Sequence, residues 1–138
     1  MKHINLIYLS VFFIVSGILS FFNIIYSYYF NLYLNLNTYI YSLVISIFLG
    51  VLFYLFKNDK IKFTIYDKIL TILIGYLLIP LVFSIPFYLS IYNISFINSY
   101  FEAISGFTST GFTVFENIKH IDQSLILWRS TSQWIGGL

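Results

Sequence analysis

Three long apolar segments fill the chain from its start to residue 92. They cover residues 4–30, 38–56 and 66–92, and the polar residues inside them are mostly Ser, Asn and Thr. A helix needs ~20 predominantly apolar residues to cross a bilayer. The pattern therefore predicts three transmembrane helices, the first two within residues 1–56.

The third apolar segment contains both prolines of the chain, Pro80 and Pro86. Proline has no backbone N–H and clashes with the preceding helical turn, so we expect a kink or an early helix end. Pro86 is predicted to mark the end of the regular helix. The first segment is too long for the apolar centre of a signal peptide, so it is predicted to remain as a membrane helix.

Positive charge is concentrated between the second and third segments. This stretch contains four lysines, at positions 57, 60, 62 and 68, and two aspartates, at positions 59 and 67. Basic residues in short loops favour the cytoplasm. We therefore expect residues 57–65 to form a cytoplasmic loop, and the N-terminus with Lys2 to lie on the same side. The region after the third segment then enters from the outer face.

Composition excludes several classes of function. The 138 residues are 59% hydrophobic and 9% charged, with a net charge of +2 and no cysteine. The small net charge argues against a nucleic-acid partner, and lipid is the expected surrounding. The first two segments contain no acidic residue and no His, so an intramembrane enzyme is not expected, and neither is a bound cofactor.

The segment after the third helix is too short to span a membrane. Ser99 and Glu102 have the spacing of a capping box, which predicts a short helix from Ser99 to about Gly106. Asp122 is predicted to cap a further helix that begins at Gln123.

The run Thr108-Ser109-Thr110-Gly111-Phe112 lies between these two helices. At membrane depth, irregular backbone is tolerated where it is buried in protein or lines a water-filled cavity. Carbonyl oxygens in such a loop can replace the hydration shell of a cation. We therefore predict an ion site at residues 109–112, supported by Thr108. The alternative is a simple turn between two helices.

Glu102 and Arg129 are the charged residues predicted nearest to this loop. Charges inside a membrane are costly and usually paired, which favours an ion pair behind the loop. The alternative is a helix cap at Glu102 and an Arg129 whose head reaches the interface. The sequence leaves both interpretations open.

Residues 101–138 contain several short motifs together: FEA and SG before the loop, T-x-TG within it, then ID, WRS and QWIGG. This set resembles the first pore unit of the Trk/Ktr/HKT cation transporters, most closely the Trk-type potassium uptake subunit. The resemblance implies an all-α membrane protein with a re-entrant pore helix and a selectivity-filter loop, and assigns residues 66–138 to the first pore unit.

The resemblance also implies a function. Family members have four such units around one pore, so Ser109, Thr110, Gly111 and Phe112 would form one of four filter loops, with K⁺ at Thr110 and Gly111. In plant relatives a Ser at the glycine position accompanies sodium preference, so Gly111 favours potassium. A homodimer, a cytosolic nucleotide-binding regulatory subunit, a bacterial inner membrane and coupling to Na⁺ or H⁺ are further expectations from the family.

The sequence departs from the family pattern at two loop positions. Phe112 replaces a common Ala and Ser109 a common Thr, which leaves the Trk or Ktr subtype open. Only one pore loop is present and the last helix stops at Gly136-Gly137-Leu138, so a truncated N-terminal fragment is expected. The alternative function is a small multispan membrane protein without transport activity.

Overall fold

A computed structural model describes residues 4–57 and 63–137 of the chain. Within these residues the chain forms α-helices, one short 3₁₀ helix at Ile118–His120 and no strand. The five α-helices are α1 (Leu6–Tyr29), α2 (Leu36–Leu55), α3 (Ile65–Tyr88), α4 (Phe96–Phe107) and α5 (Gln123–Gly136).

The three long helices confirm the prediction from hydropathy. Helices α1, α2 and α3 are each long and apolar enough to cross a membrane. Helix α3 continues through Pro86 to Tyr88, so the expectation that Pro86 ends it is wrong by two residues. The described residues do not include residues 1–3, 58–62 and 138. The membrane orientation that Lys2, Lys60 and Lys62 suggest therefore remains a prediction.

Helices α1 and α2 are polar on their buried faces and apolar outside. Phe22 and Phe48 are examples of the exposed apolar side chains, at 60% and 64% exposure, whereas serines at the contact of the two helices are fully buried. In lipid, no hydrophobic effect drives apolar side chains into the contact between helices, and small residues there let two backbones approach closely. The contact is therefore typical of helices that pack within a bilayer.

Hydroxyl groups and a glycine join α1 to α2 along most of their length. Ser16 Oγ lies 3.1 Å from Ser46 Oγ, and Ser10 Oγ donates to the Gly50 carbonyl at 2.7 Å. A Cβ atom on Gly50 would lie 2.8 Å from Ile14 Cγ1. We call this contact the α1–α2 seam; its buried residues on α2 recur every four positions, at Thr38, Ser42, Ser46 and Gly50.

Side chains satisfy backbone carbonyls where the prolines interrupt α3. Pro80 and Pro86 remove the donors that the carbonyls of residues 76 and 82 would otherwise use. The neighbouring carbonyls of Leu77, Leu81 and Phe83 accept side-chain hydrogen bonds, respectively from Tyr100, Ser84 and Trp128. These bonds lie next to the two positions where a backbone donor is missing, and α3 stays helical past both prolines.

Trp128 of α5 lies at the centre of the core and is fully buried. Its ring stacks on Phe83 with centroids 4.9 Å apart, and Tyr39 of α2 lies 5.9 Å away. Phe107, at the end of α4, packs against Phe83 and Tyr76 of α3. The aromatic core therefore fixes the last turn of α4 and the middle of α5 against α3.

The start of α5 is held by polar side chains of the first two helices. Asp122 caps α5 by accepting from Ser124 N at 2.8 Å, as predicted. Asn35 donates to the other Asp122 oxygen, Tyr39 Oη lies 2.9 Å from Ser124 Oγ, and Asn23 donates to the Ser124 carbonyl. Helices α1 and α2 thereby set where α5 begins.

The close packing of the α1–α2 seam predicts that a larger side chain destabilises the chain inside the contact but not beside it. Gly50→Leu should lower the thermal stability of the chain in detergent, because overpacking of a tight contact costs about 1–3 kcal/mol. Val51→Leu is the matched control, since Val51 is 47% exposed on the adjacent position. Helical circular dichroism during heating measures both variants. Equal midpoints would show that the seam is not close-packed at Gly50.

Candidate ion-binding loop

Helix α4 leads into the candidate loop and begins earlier than predicted. Its first residue is Phe96, and the Ser95 side chain caps it by accepting from Asn98 N at 3.3 Å. The predicted capping box of Ser99 and Glu102 is therefore wrong. Ser99 lies inside the helix and donates to the Ser95 carbonyl, while the Glu102 carboxylate bonds to residues beyond the helix.

Helix α4 ends at Phe107 in a Schellman-type turn. Ser109 N donates to the Gly106 carbonyl at 2.8 Å, and Thr110 N donates to the Ser105 carbonyl at 3.1 Å. Ser109 has φ 56°, the left-handed conformation that this turn requires and that glycine usually adopts. The turn satisfies the last carbonyls of α4 and directs the chain away from the helix axis.

Gly111 is a second left-handed residue, with φ 80°. Only one residue separates it from Ser109, so the backbone changes direction twice within the loop. All five residues from Thr108 to Phe112 are exposed. A Cβ on Gly111 would have only Gln133 Nε2 nearby, at 3.8 Å, so the backbone conformation rather than crowding requires glycine there.

The Glu102 carboxylate connects α4, the loop and α5. It is fully buried and accepts from Thr113 Oγ1 at 3.0 Å, from Val114 N at 2.9 Å and from Arg129 Nε. The ion pair of Glu102 with Arg129 is thus present, and the alternative of a Glu102 cap is not. A buried carboxylate is stable only where donors replace its water, and these three groups do so.

Arg129 extends the ion pair to the candidate loop itself. Its Nη2 donates to the Gly111 carbonyl at 2.9 Å and lies 3.4 Å from the Phe112 carbonyl. The guanidinium therefore bridges the Glu102 carboxylate and the backbone of the loop. Its planar fork of donors suits two acceptors in different directions, which a lysine ammonium could not match equally.

Two of the four predicted ion-binding residues have a backbone carbonyl without a hydrogen-bond donor in the described part of the chain. The Ser109 and Thr110 carbonyls accept no hydrogen bond from residues 4–57 or 63–137. Ser109 Oγ donates to the Gln133 carbonyl of α5 at 3.0 Å, so this side chain helps to hold the loop. The predicted site residues thus divide into carbonyls with donors, at Gly111 and Phe112, and carbonyls without, at Ser109 and Thr110.

Two glycines set the close approach of α4 to α5. A Cβ on Gly106 would clash with the Ser132 side chain, and a Cβ on Gly136 would clash with the Phe107 carbonyl. The second clash involves backbone, which cannot rotate away. The loop between the two helices therefore starts next to a tightly packed contact between α4 and α5.

Sequence reasoning missed two residues that shape the loop. Thr113 donates to Glu102, and Ser105 Oγ donates to the Phe112 carbonyl at 2.6 Å. Both are small hydroxyl residues whose partners are far enough along the chain that no local spacing indicates them. Thr113 directly follows the glycine-containing loop, and Ser105 lies in the last turn of the helix before it. This position beside the loop is the only signal that could have drawn attention to them.

Comparison with known proteins identifies relatives that are all named as transporters. No family model matches the chain. The chain is 33% identical over 114 residues to an uncharacterized cation transporter of Methanocaldococcus jannaschii, which covers 78% of this chain and 23% of the relative. It is 30% identical over 90 residues to the Trk system potassium uptake protein TrkG of Escherichia coli, covering 64% and 19%.

A third relative is the Trk system potassium uptake protein TrkI of Halomonas elongata. It is 38% identical over 55 residues, which covers 40% of this chain and 11% of the relative. The chain thus spans less than a quarter of the length of each of these three relatives.

The Glu102–Arg129 pair predicts non-additive effects of mutation. Arg129→Gln should destabilise the chain in detergent by about 3–5 kcal/mol, because it leaves the buried Glu102 carboxylate without its cation. Glu102→Gln should destabilise it less, because the Arg129 side chain is partly exposed and keeps its bond to the Gly111 carbonyl. The double variant should lose less than the sum, since both changes remove one shared interaction. Thermal unfolding of the four proteins measures the coupling.

Glu116→Gln is the matched control for this cycle, because Glu116 is an exposed acid close to the loop. It should change the unfolding temperature little. Strictly additive effects of the Glu102 and Arg129 changes would contradict a functional ion pair between them.

Proposed function

Because this chain belongs to the Trk-type cation transporter family, we propose that it supplies one pore-loop unit of a potassium uptake protein. Residues 66–138 form this unit, with α3 as its first helix, α4 as a re-entrant pore helix and α5 as the start of its second helix. The names of the three relatives support cation transport as the activity. Since each relative is more than four times longer than the matched part, the pore requires further units.

The observation that carries this proposal is the division of carbonyls in the loop. Gly111 and Phe112 are held from behind by donors, whereas the exposed Ser109 and Thr110 carbonyls have none. Carbonyl oxygens of this kind can replace the water around a dehydrated K⁺ ion. The Thr110 carbonyl would therefore bind the ion directly. The Gly111 carbonyl accepts a hydrogen bond from Arg129 with one lone pair and would bind the ion with the other.

Electrostatics supports a cation at this position. The C-terminal end of α4 carries a partial negative charge, which favours cations beside the loop. The positive charge of Arg129 would oppose this, but the Glu102 carboxylate lies against the guanidinium and offsets it. Thr108 and Thr110 add hydroxyl oxygens on the same exposed stretch of chain.

The wider assembly is part of the same proposal. Four such loops would surround one ion. The complete protein would form a homodimer in a bacterial inner membrane, and this dimer would bind a cytosolic nucleotide-binding regulatory subunit. Coupling of K⁺ entry to Na⁺ or H⁺ belongs to this proposal as well. The alternative is a multispan membrane protein without transport activity.

Gly111 provides the direct test of the filter. In a transporter completed by its other pore units, Gly111→Ser should preserve expression but weaken the preference for K⁺ over Na⁺. A side chain costs about 1–2 kcal/mol in the left-handed conformation, so the loop should relax and its carbonyls should turn. Uptake of rubidium and sodium isotopes measures the ratio.

Gly75→Ser is the matched control, because Gly75 lies in α3 and an added Cβ would make only ordinary contacts at 3.6 Å. It should leave the ion ratio unchanged. An unchanged ratio in the Gly111 variant would remove Gly111 from the filter, and absence of K⁺ uptake by the unaltered protein would favour the alternative function.

Orientation in the membrane provides a second test. The lysines of residues 57–68 favour a cytoplasmic position for this loop, and the loop with Asn117 would then lie on the outer side. Single cysteines at Asn58 and Asn117 should react with a membrane-impermeant reagent from opposite sides. Labelling of both from one side would overturn the orientation.

A further inference from the structure

Ser105 is the one buried hydroxyl residue of α4 whose side chain bonds beyond its own helix. It lies in the last turn, is 3% exposed, and donates from Oγ to the Phe112 carbonyl at 2.6 Å. Ser99 of the same helix, and Ser132 of α5, instead donate to carbonyls three or four residues back. Ser105 therefore spends its only donor on the loop.

The positions of the hydroxyl protons follow from the short bond of Ser105. Because its proton is directed to Phe112, Ser105 Oγ can only accept from Thr110 Oγ1, which lies 3.2 Å away. Thr108 Oγ1 donates to the Ile104 carbonyl at 2.8 Å, so it too can only accept from Thr110, which lies 3.3 Å away. The Ser105 carbonyl is a third acceptor, at 3.2 Å, so three oxygens share the single Thr110 hydroxyl proton. Thr110 is thus the donor in these contacts, and no described group donates to its hydroxyl oxygen.

The Phe112 carbonyl is held unequally from two sides. Ser105 Oγ lies 2.6 Å from it, while Arg129 Nη2 lies 3.4 Å away and is closer to the Gly111 carbonyl. Hydrogen bonds weaken steeply at such longer distances. Loss of the Ser105 donor would therefore let the Phe112 peptide turn toward Arg129, while the Thr110 hydroxyl would keep the Ser105 carbonyl and Thr108 Oγ1 as acceptors.

We propose that Ser105 is a positioning residue for ion selection: it fixes the Phe112 carbonyl, and thereby the loop backbone whose oxygens a potassium ion meets. This inference rests on the proposed function of the loop. Discrimination between K⁺ and Na⁺ depends on the placement and number of oxygen ligands, so a side chain that fixes their placement affects selectivity without touching the ion.

Ser99 separates this role from a contribution to helix stability. Ser99 is fully buried in the same helix, and its hydroxyl bonds to the Ser95 carbonyl. Ser99→Ala therefore removes an equivalent buried hydroxyl that has no bond to the loop. Any effect that Ser105→Ala produces and Ser99→Ala does not is due to the contact with residues 110 and 112.

The first experiment examines the hydrogen bond in the chain itself. Labelling of Phe at the carbonyl carbon and Thr at the amide nitrogen selects three Phe–Thr peptides, which begin at Phe63, Phe107 and Phe112. Nuclear magnetic resonance in detergent should show the Phe112 carbonyl signal shifted in Ser105→Ala and unshifted in Ser99→Ala, with the Phe63 signal unchanged in both. An unshifted Phe112 signal in Ser105→Ala would overturn the inference.

The second experiment measures selectivity in the completed transporter. Ser105→Ala should reduce the K⁺ to Na⁺ uptake ratio by about two- to tenfold, the effect expected from one hydrogen bond, while Ser99→Ala leaves it unchanged. If the unaltered protein selects K⁺ and both variants match it, the inference about Ser105 fails and the proposed function stands. If the unaltered protein does not select K⁺, the proposed function fails, and with it the role of Ser105 in selection.

Discussion

The loop depends above all on the buried carboxylate of Glu102. A carboxylate removed from water must receive hydrogen bonds from the protein, or it destabilises the fold by several kcal/mol. Here the donors come from the loop and from α5, 11 to 27 residues farther along the chain. Because all of these donors bond to one carboxylate, the path of residues 108–114 and the position of α5 are coupled to each other.

The same ion pair resolves an electrostatic conflict. Arg129 is the only described cation that contacts the loop, and it bonds to the Gly111 carbonyl beside the proposed ion site. An unpaired guanidinium there would repel a cation, because charges interact strongly where water is scarce. Glu102 offsets this charge, so the loop gains rigid donors behind its carbonyls without a net positive charge.

The sequence predicted the helices better than it predicted the loop. Apolar length identified α1, α2 and α3, and the Asp122 cap was found because its partner, Ser124, is two residues away. The capping box at Ser99 was wrong because the Glu102 carboxylate bonds to Thr113, Val114 and Arg129 instead of to the backbone at the start of its own helix. Sequence patterns predict hydrogen bonds between residues a few positions apart, so the longer-range bonds of Ser105 and Thr113 were not predicted.

The loop is also positioned by residues that never touch it. At the end of α4, Phe107 is fixed by the aromatic core on α3, while the start of α5 is fixed by Asn35 and Tyr39 of α2. Helix α2 is in turn located by the α1–α2 seam, whose hydroxyl bonds and small residues hold two backbones close together. A shift in the seam would therefore move Arg129 relative to Glu102, so the first two helices act as a brace for the loop as well as membrane anchors.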